Sequence, residues 1–77
     1  MRLVYEHIGY NGKGFAVRLL SKKEAYKRID RIRLEFIDLK HNKKDFYDMQ
    51  LFEAASIISG LSNAIFLLDI EKRKVKR

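Results

Sequence analysis

The 77-residue sequence predicts a single α+β domain, an N-terminal β-hairpin followed by two antiparallel helices. Three observations carry that expectation. Two short alternating segments flank a glycine-rich tip, a serine and a glutamate stand at capping-box spacing, and apolar residues recur every three or four positions from Ala25 onward. A variant order, ββααβ, arises if the C-terminal segment returns to the sheet as a third strand.

Residues 2–8 and 15–20 read as the two strands of the hairpin. Leu3, Tyr5 and His7 alternate with Val4, Glu6 and Ile8, and Phe15, Val17 and Leu19 alternate with Ala16, Arg18 and Leu20. Between them, Gly9-Tyr10-Asn11-Gly12-Lys13-Gly14 makes the tip, where Asn-Gly suits the positive φ of a type I′ turn.

Ser21-Lys22-Lys23-Glu24 fits a capping box and opens the first predicted helix. Ala25, Ile29, Ile32, Phe36 and Leu39 form one apolar stripe over about five turns, and His41 and Asn42 suit its C-terminal end. Asp45 is the expected N-cap of a second helix, with Tyr47, Leu51, Ala54, Ile58, Leu61, Ile65 and Leu68 as its stripe. Two readings compete from Gly60. Either one long helix carries the glycine inside it, or Leu61-Ser62-Asn63 turns and residues 64–70 return as a strand. Phe52, Ser56, Ser59 or Gly60, Asn63 and Phe66 add a second strip to this helix. Such a strip fits a helix wedged between two neighbours, or a homodimer seam.

A chain this short buries only about 60–65% of its unfolded surface, so oligomerisation is a natural source of added stability. It has no cysteine for disulfides, and its two histidines, His7 and His41, lack partners for a structural zinc. The N-terminus carries no secretory signal, and the longest apolar-rich stretch, Ala64 to Leu68, is too short to span a bilayer. A cytoplasmic protein without membrane attachment is the expectation.

The net charge of +7 is unevenly placed. Residues 22–44 hold nine basic and four acidic side chains, residues 45–70 hold four acidic and no basic ones, and residues 71–77 hold five basic and one acidic. On the first predicted helix, Lys23, Lys27 and Arg31 fall on one line, bordered by Arg28 and continued by Lys40, Lys43 and Lys44. The densest run is Lys72-Arg73-Lys74-Val75-Lys76-Arg77, a basic tail over residues 71–77 that would act as a flexible arm.

No chemistry is legible beside this charge. The tip lacks the Ser or Thr and the following helix of a Walker loop. Nothing places a nucleophile beside His7 or His41, and no cofactor is implied. Neither zinc-finger spacing nor helix-turn-helix geometry is present.

Two functions from different classes follow. One is a non-enzymatic basic domain that binds nucleic acid through its phosphates with little sequence preference. Its contacts would be Lys23, Lys27, Arg28, Arg31, Lys43, Lys44, Lys72, Arg73, Lys74, Lys76 and Arg77, with Tyr10 and Lys13 reaching from the hairpin tip. The other is a protein-binding inhibitor or adaptor of phage or mobile-element type, steered to an acidic surface on a larger protein. A structural homo-oligomer is a third.

Overall fold

In the computed structural model, which describes residues 1–75, four strands precede one helix. They are β1 Arg2–Ile8, β2 Lys13–Leu19, β3 Ile32–Asp38, β4 Lys43–Met49 and α1 Leu51–Val75. The strands form one antiparallel meander in the order β1-β2-β3-β4, so β1 and β4 are its edges.

The N-terminal pair, β1 and β2, turns at the glycine-rich tip. Gly9 N–H donates to Lys13 O at 2.8 Å, Gly12 N–H to Gly9 O at 2.9 Å, and Lys13 N–H to Asn11 Oδ1 at 3.0 Å. Gly12 alone in this tip has a positive φ, 78°. The turn is therefore wider than the two-residue type I′ expected, with its one left-handed position on a glycine.

The two-helix expectation, and ββααβ with it, is overturned: the first predicted helix is absent. Its capping box does form, with Ser21 N–H donating to Glu24 Oε1 at 2.9 Å and Glu24 N–H to Ser21 Oγ at 3.3 Å. Ala25 N–H reaches Ser21 O at 3.0 Å, which closes one helical turn. Lys27 and Arg28 then adopt φ of 52° and 64°, left-handed values that end the turn. Downstream, Ile32, Leu34 and Phe36 alternate with Arg33 and Glu35. Ile32 and Phe36 satisfy a period of two as well as the helical spacing. Pairing decides between the periods, because β3 hydrogen-bonds to β2 on one side and β4 on the other.

Asn42 takes the left-handed conformation expected of a helix end, φ 51°, but in the β3–β4 turn, where its N–H donates to Leu39 O at 3.2 Å. Asp45 is no N-cap. It lies within β4 opposite Phe36, and its Oδ1 accepts from Phe46 N–H at 2.9 Å. The helix starts after Gln50, whose carbonyl accepts from Ala54 N–H at 3.1 Å and whose N–H donates to Glu53 Oε1 at 3.1 Å. It runs unbroken through Gly60, so residues 64–70 are helical.

Residues opposite each other in an antiparallel ladder project to the same side of the sheet. One side carries the rungs Tyr5–Val17–Leu34–Tyr47, His7–Phe15–Phe36–Asp45 and Leu19–Ile32–Met49, and is mostly apolar. The other carries Leu3–Arg18–Arg33–Asp48, Glu6–Ala16–Glu35–Phe46 and Ile8–Gly14–Ile37–Lys44. Arg18 and Glu35 pair there at 3.5 Å, and Arg33 and Asp48 at 2.7 Å.

The core is thin. Ala16, Leu20, Ala25, Ile37 and Met49 are the buried hydrophobic residues among those described. Helix α1 meets the apolar face only through its first two turns, where Phe52, Glu53, Ser56 and Ile57 share a cleft with Leu34, Phe36 and Tyr47. The Tyr47 hydroxyl donates to Glu53 Oε2 at 2.9 Å, which also raises the Tyr47 pKa above its ordinary value. Beyond that point the helix leaves the sheet.

The radius of gyration is accordingly 15.8 Å, against about 11.5 Å for a compact chain of this length. The accessible surface is 6812 Å², against about 4,900 Å² for a compact monomer of this mass. By length and composition, the 23-residue segment Leu51–Arg73, whose most apolar 18-residue window has a mean hydropathy of 1.7, is long and apolar enough to cross a membrane.

Candidate nucleic-acid interface

The meander sorts the cations into three places. The first is the end of the sheet where the β1–β2 and β3–β4 turns lie side by side, joined by Leu39 N–H donating to Gly12 O at 2.9 Å. Register aligns Lys13, Asp38 and Lys43 on one rung there, with Lys44 on the next rung, which projects to the opposite side of the sheet at the same end. Lys13 and Lys43 flank the central strand about 10 Å apart. An open cleft of about 520 Å³ is lined by Lys13, Lys43, Lys44, Asn42 and Phe36, with Asp38 and Asp45 among them. Lys40 stands in the adjoining turn. Tyr10, at the tip, is fully exposed.

Asp38 is held chiefly by His41, with Lys13 also acting on its charge. Asp38 Oδ2 lies 2.8 Å from His41 Nδ1, and Asp38 Oδ1 accepts from His41 N–H at 3.3 Å. The contact with the His41 ring is the main cause that holds the Asp38 carboxyl below its ordinary pKa. Among the described residues, the ion pairs use Arg18, Arg33, Arg73, His41 and the amino terminus, and none uses a lysine.

The second place is the β2–β3 connection at the opposite end, with Lys22, Lys23, Lys27 and Arg28. Seven-residue strands separate it from the first place by about 23 Å. The single line of Lys23, Lys27 and Arg31 expected on a helix does not exist. Lys27 Nζ lies 5.5 Å from the Tyr26 ring, and Arg31 Nε donates to Leu20 O at 2.9 Å in a partly buried position. Arg31 thus ties the connection to β2, which removes that nitrogen from any phosphate.

The third place is the end of α1. Lys72 and Arg73 extend the helix, and Arg73 pairs with Asp69 at 3.2 Å. Lys74 falls within the helix backbone, while Lys76 and Arg77 lie outside the described residues.

Sequence reasoning missed two things. It did not join Lys13 to Lys43 and Lys44, because a link across three strands requires β3 and β4 to be recognised. It also passed over Arg33, whose guanidinium sits 3.9 Å from the Phe46 ring centroid while gripping Asp48 with two nitrogens. The alternation of Ile32 to Asp38 was the signal that would have found both. Among the described residues, no three His, Asp or Glu side chains lie together as a metal site.

In comparisons with known proteins, the chain matches no family model, no curated protein and no solved structure. Its fold and charge map therefore carry the functional reading.

Proposed function

We propose that this chain is a non-enzymatic domain that binds nucleic acid through the phosphate backbone, with little sequence preference. The observation that carries the reading is the cluster of Lys13, Lys40, Lys43 and Lys44, gathered by two abutting turns and left out of the ion pairs among the described residues. Lysines at strand ends and in the adjoining turn present flexible point charges, suited to tracking phosphates rather than reading bases. Lys23, Lys27 and Arg28 at the far end, and Lys72 on α1, would lengthen the track.

Fluorescence anisotropy with single- and double-stranded DNA and RNA tests it. Micromolar binding is expected at ~50 mM salt, falling steeply by ~200 mM as released counterions lose their entropic advantage. Changing Lys13, Lys40, Lys43 and Lys44 together to glutamine is expected to reduce the salt slope on duplex DNA by about 3–4. No binding at low salt, or an unchanged slope in the variant, would sink the reading.

One observation favours a protein target instead: the wide apolar face of the sheet is half open to solvent. A domain docking that face on a larger protein would bind one partner saturably, with little salt dependence and no affinity for oligonucleotides.

A further inference from the structure

We infer that a second copy of this chain covers the outer side of α1 and the open part of the apolar sheet face, forming an isologous homodimer. The inference stands apart from the nucleic-acid reading and needs none of its lysines.

Helix α1 has two apolar sides. At 100° per residue, the mean direction of Leu51, Ile58, Leu61, Ile65 and Leu68 lies roughly 120° from that of Glu53, Ser56 and Ile57, which line the cleft with the sheet, with Ile57 at the border, about 20–40° from Leu61 and Leu68. Each of those five is more than half exposed, from 52% at Leu68 to 78% at Leu51. One sheet face cannot cover both sides of one helix. Nor is the sheet face itself covered, since Tyr5, Phe36 and Tyr47 are each about half exposed. The protomer thus holds two apolar surfaces joined at the start of α1, and each lacks what the other offers.

The area fits the same occupant. The surface of 6812 Å² exceeds that of a compact monomer of this mass by about 1,900 Å². Burying that much on each of two protomers removes about 3,800 Å² in total, within the ~2,000–5,000 Å² of obligate homodimers. A two-fold axis also lets one pair of surfaces satisfy both chains and stops growth at two.

A bilayer is the other medium that takes an exposed apolar helix, and it fits less well. The segment Leu51–Arg73 is long enough to cross, but it includes Glu53, Asp69, Glu71, Lys72 and Arg73. The uncharged run between Glu53 and Asp69 is 15 residues, about 22 Å of helix against a hydrocarbon core of about 30 Å. Ser56, Ser59, Ser62 and Asn63 interrupt it. Insertion would also leave the apolar sheet face in water.

Sedimentation equilibrium of the full chain, without detergent or nucleic acid, is expected to give twice the 9.2 kDa protomer mass. A monomer at every concentration, a larger assembly, or recovery only in detergent or phosphatidylcholine vesicles overturns the inference, the last in favour of the membrane. Leu61→Lys combined with Ile65→Lys is expected to weaken the dimer at least ~100-fold, as loss of central apolar anchors does. A dimer of unchanged strength would count against the seam.

Should that variant fail to fold, single cysteines decide, because the chain has none of its own. Of Ile58→Cys, Leu61→Cys and Ile65→Cys, at least one is expected to give an intermolecular disulfide on mild oxidation, and Lys44→Cys none. Absence of cross-linking from all three, or equal cross-linking from Lys44→Cys, refutes the seam.

Discussion

Replacing Arg33 and Asp48 by alanine, singly and together, measures how strongly the β3–β4 rung is held. The two residues face each other in register, with Arg33 Nε 2.7 Å from Asp48 Oδ1 and Nη2 2.9 Å from Oδ2. Both side chains are 19% exposed, so water screens the pair only in part. The Asp48 hydrogen bond is the main cause that raises the Arg33 pKa, which keeps the guanidinium charged at every useful pH. A hydrogen bond to a charged group contributes about 1.5–3 kcal/mol net, and losing one partner strands the other's charge. Each single change is therefore expected to cost about 2–3 kcal/mol, with a coupling of about 1.5–2 kcal/mol from the double-mutant cycle. Phe46→Leu should cost a further part of a kcal/mol by removing the ring 3.9 Å from the guanidinium. Urea unfolding followed by circular dichroism, at one fixed protein concentration, is the assay, because the proposed dimerisation would make midpoints concentration-dependent. A coupling below about 0.5 kcal/mol, the range of ordinary surface pairs, would refute the reasoning.

Two further predictions concern the helix and the acid limb. Gly60 lies inside α1, and a Cβ built there meets nothing within 4 Å in the protomer. Gly60→Ala should raise unfolding stability by up to about 1 kcal/mol through helix propensity alone; a loss would show another chain's backbone packed against that side. Glu24 has its pKa lowered from 4.5 to about 2, first by the Ser21 backbone N–H and then by the amino terminus 3.0 Å away. A depressed carboxyl contributes stability that is present above its unfolded pKa and lost as pH falls through the folded one. The urea midpoint should therefore decline between pH 4.5 and about 2, and less steeply in Glu24→Gln. Equal slopes in the two proteins would rule out that source.

Much of the local chemistry was legible in the residues. Ser21 and Glu24 make the reciprocal bonds their spacing implies, Asn42 takes a left-handed turn position, and the stripe from Tyr47 to Leu68 is helical from Leu51 onward, with Tyr47 in β4 instead. The hairpin of residues 2–8 and 15–20 could be read because glycines mark its tip and its alternation has no helical competitor. What failed was the middle of the chain. There the apolar residues from Ala25 to Leu39 fit a helix spacing as well as alternation. The left-handed Lys27 and Arg28, residues with no intrinsic preference for that conformation, gave no warning of the break.

Composition and local pattern alone established a short cysteine-free chain with an excess of positive charge and an N-terminal hairpin, and an apolar helix as far as Gly60, leaving residues 64–70 open between helix and strand. The tertiary structure was needed to make residues 32–38 and 43–49 strands, because a strand is stabilised by neighbours that can lie anywhere along the chain, whereas helix bonds are local. It alone joined Lys13 to Lys43 and Lys44 across β3. It alone showed that α1 leaves its own sheet with an apolar side uncovered, since amphipathic spacing says that a side must be buried but not against what.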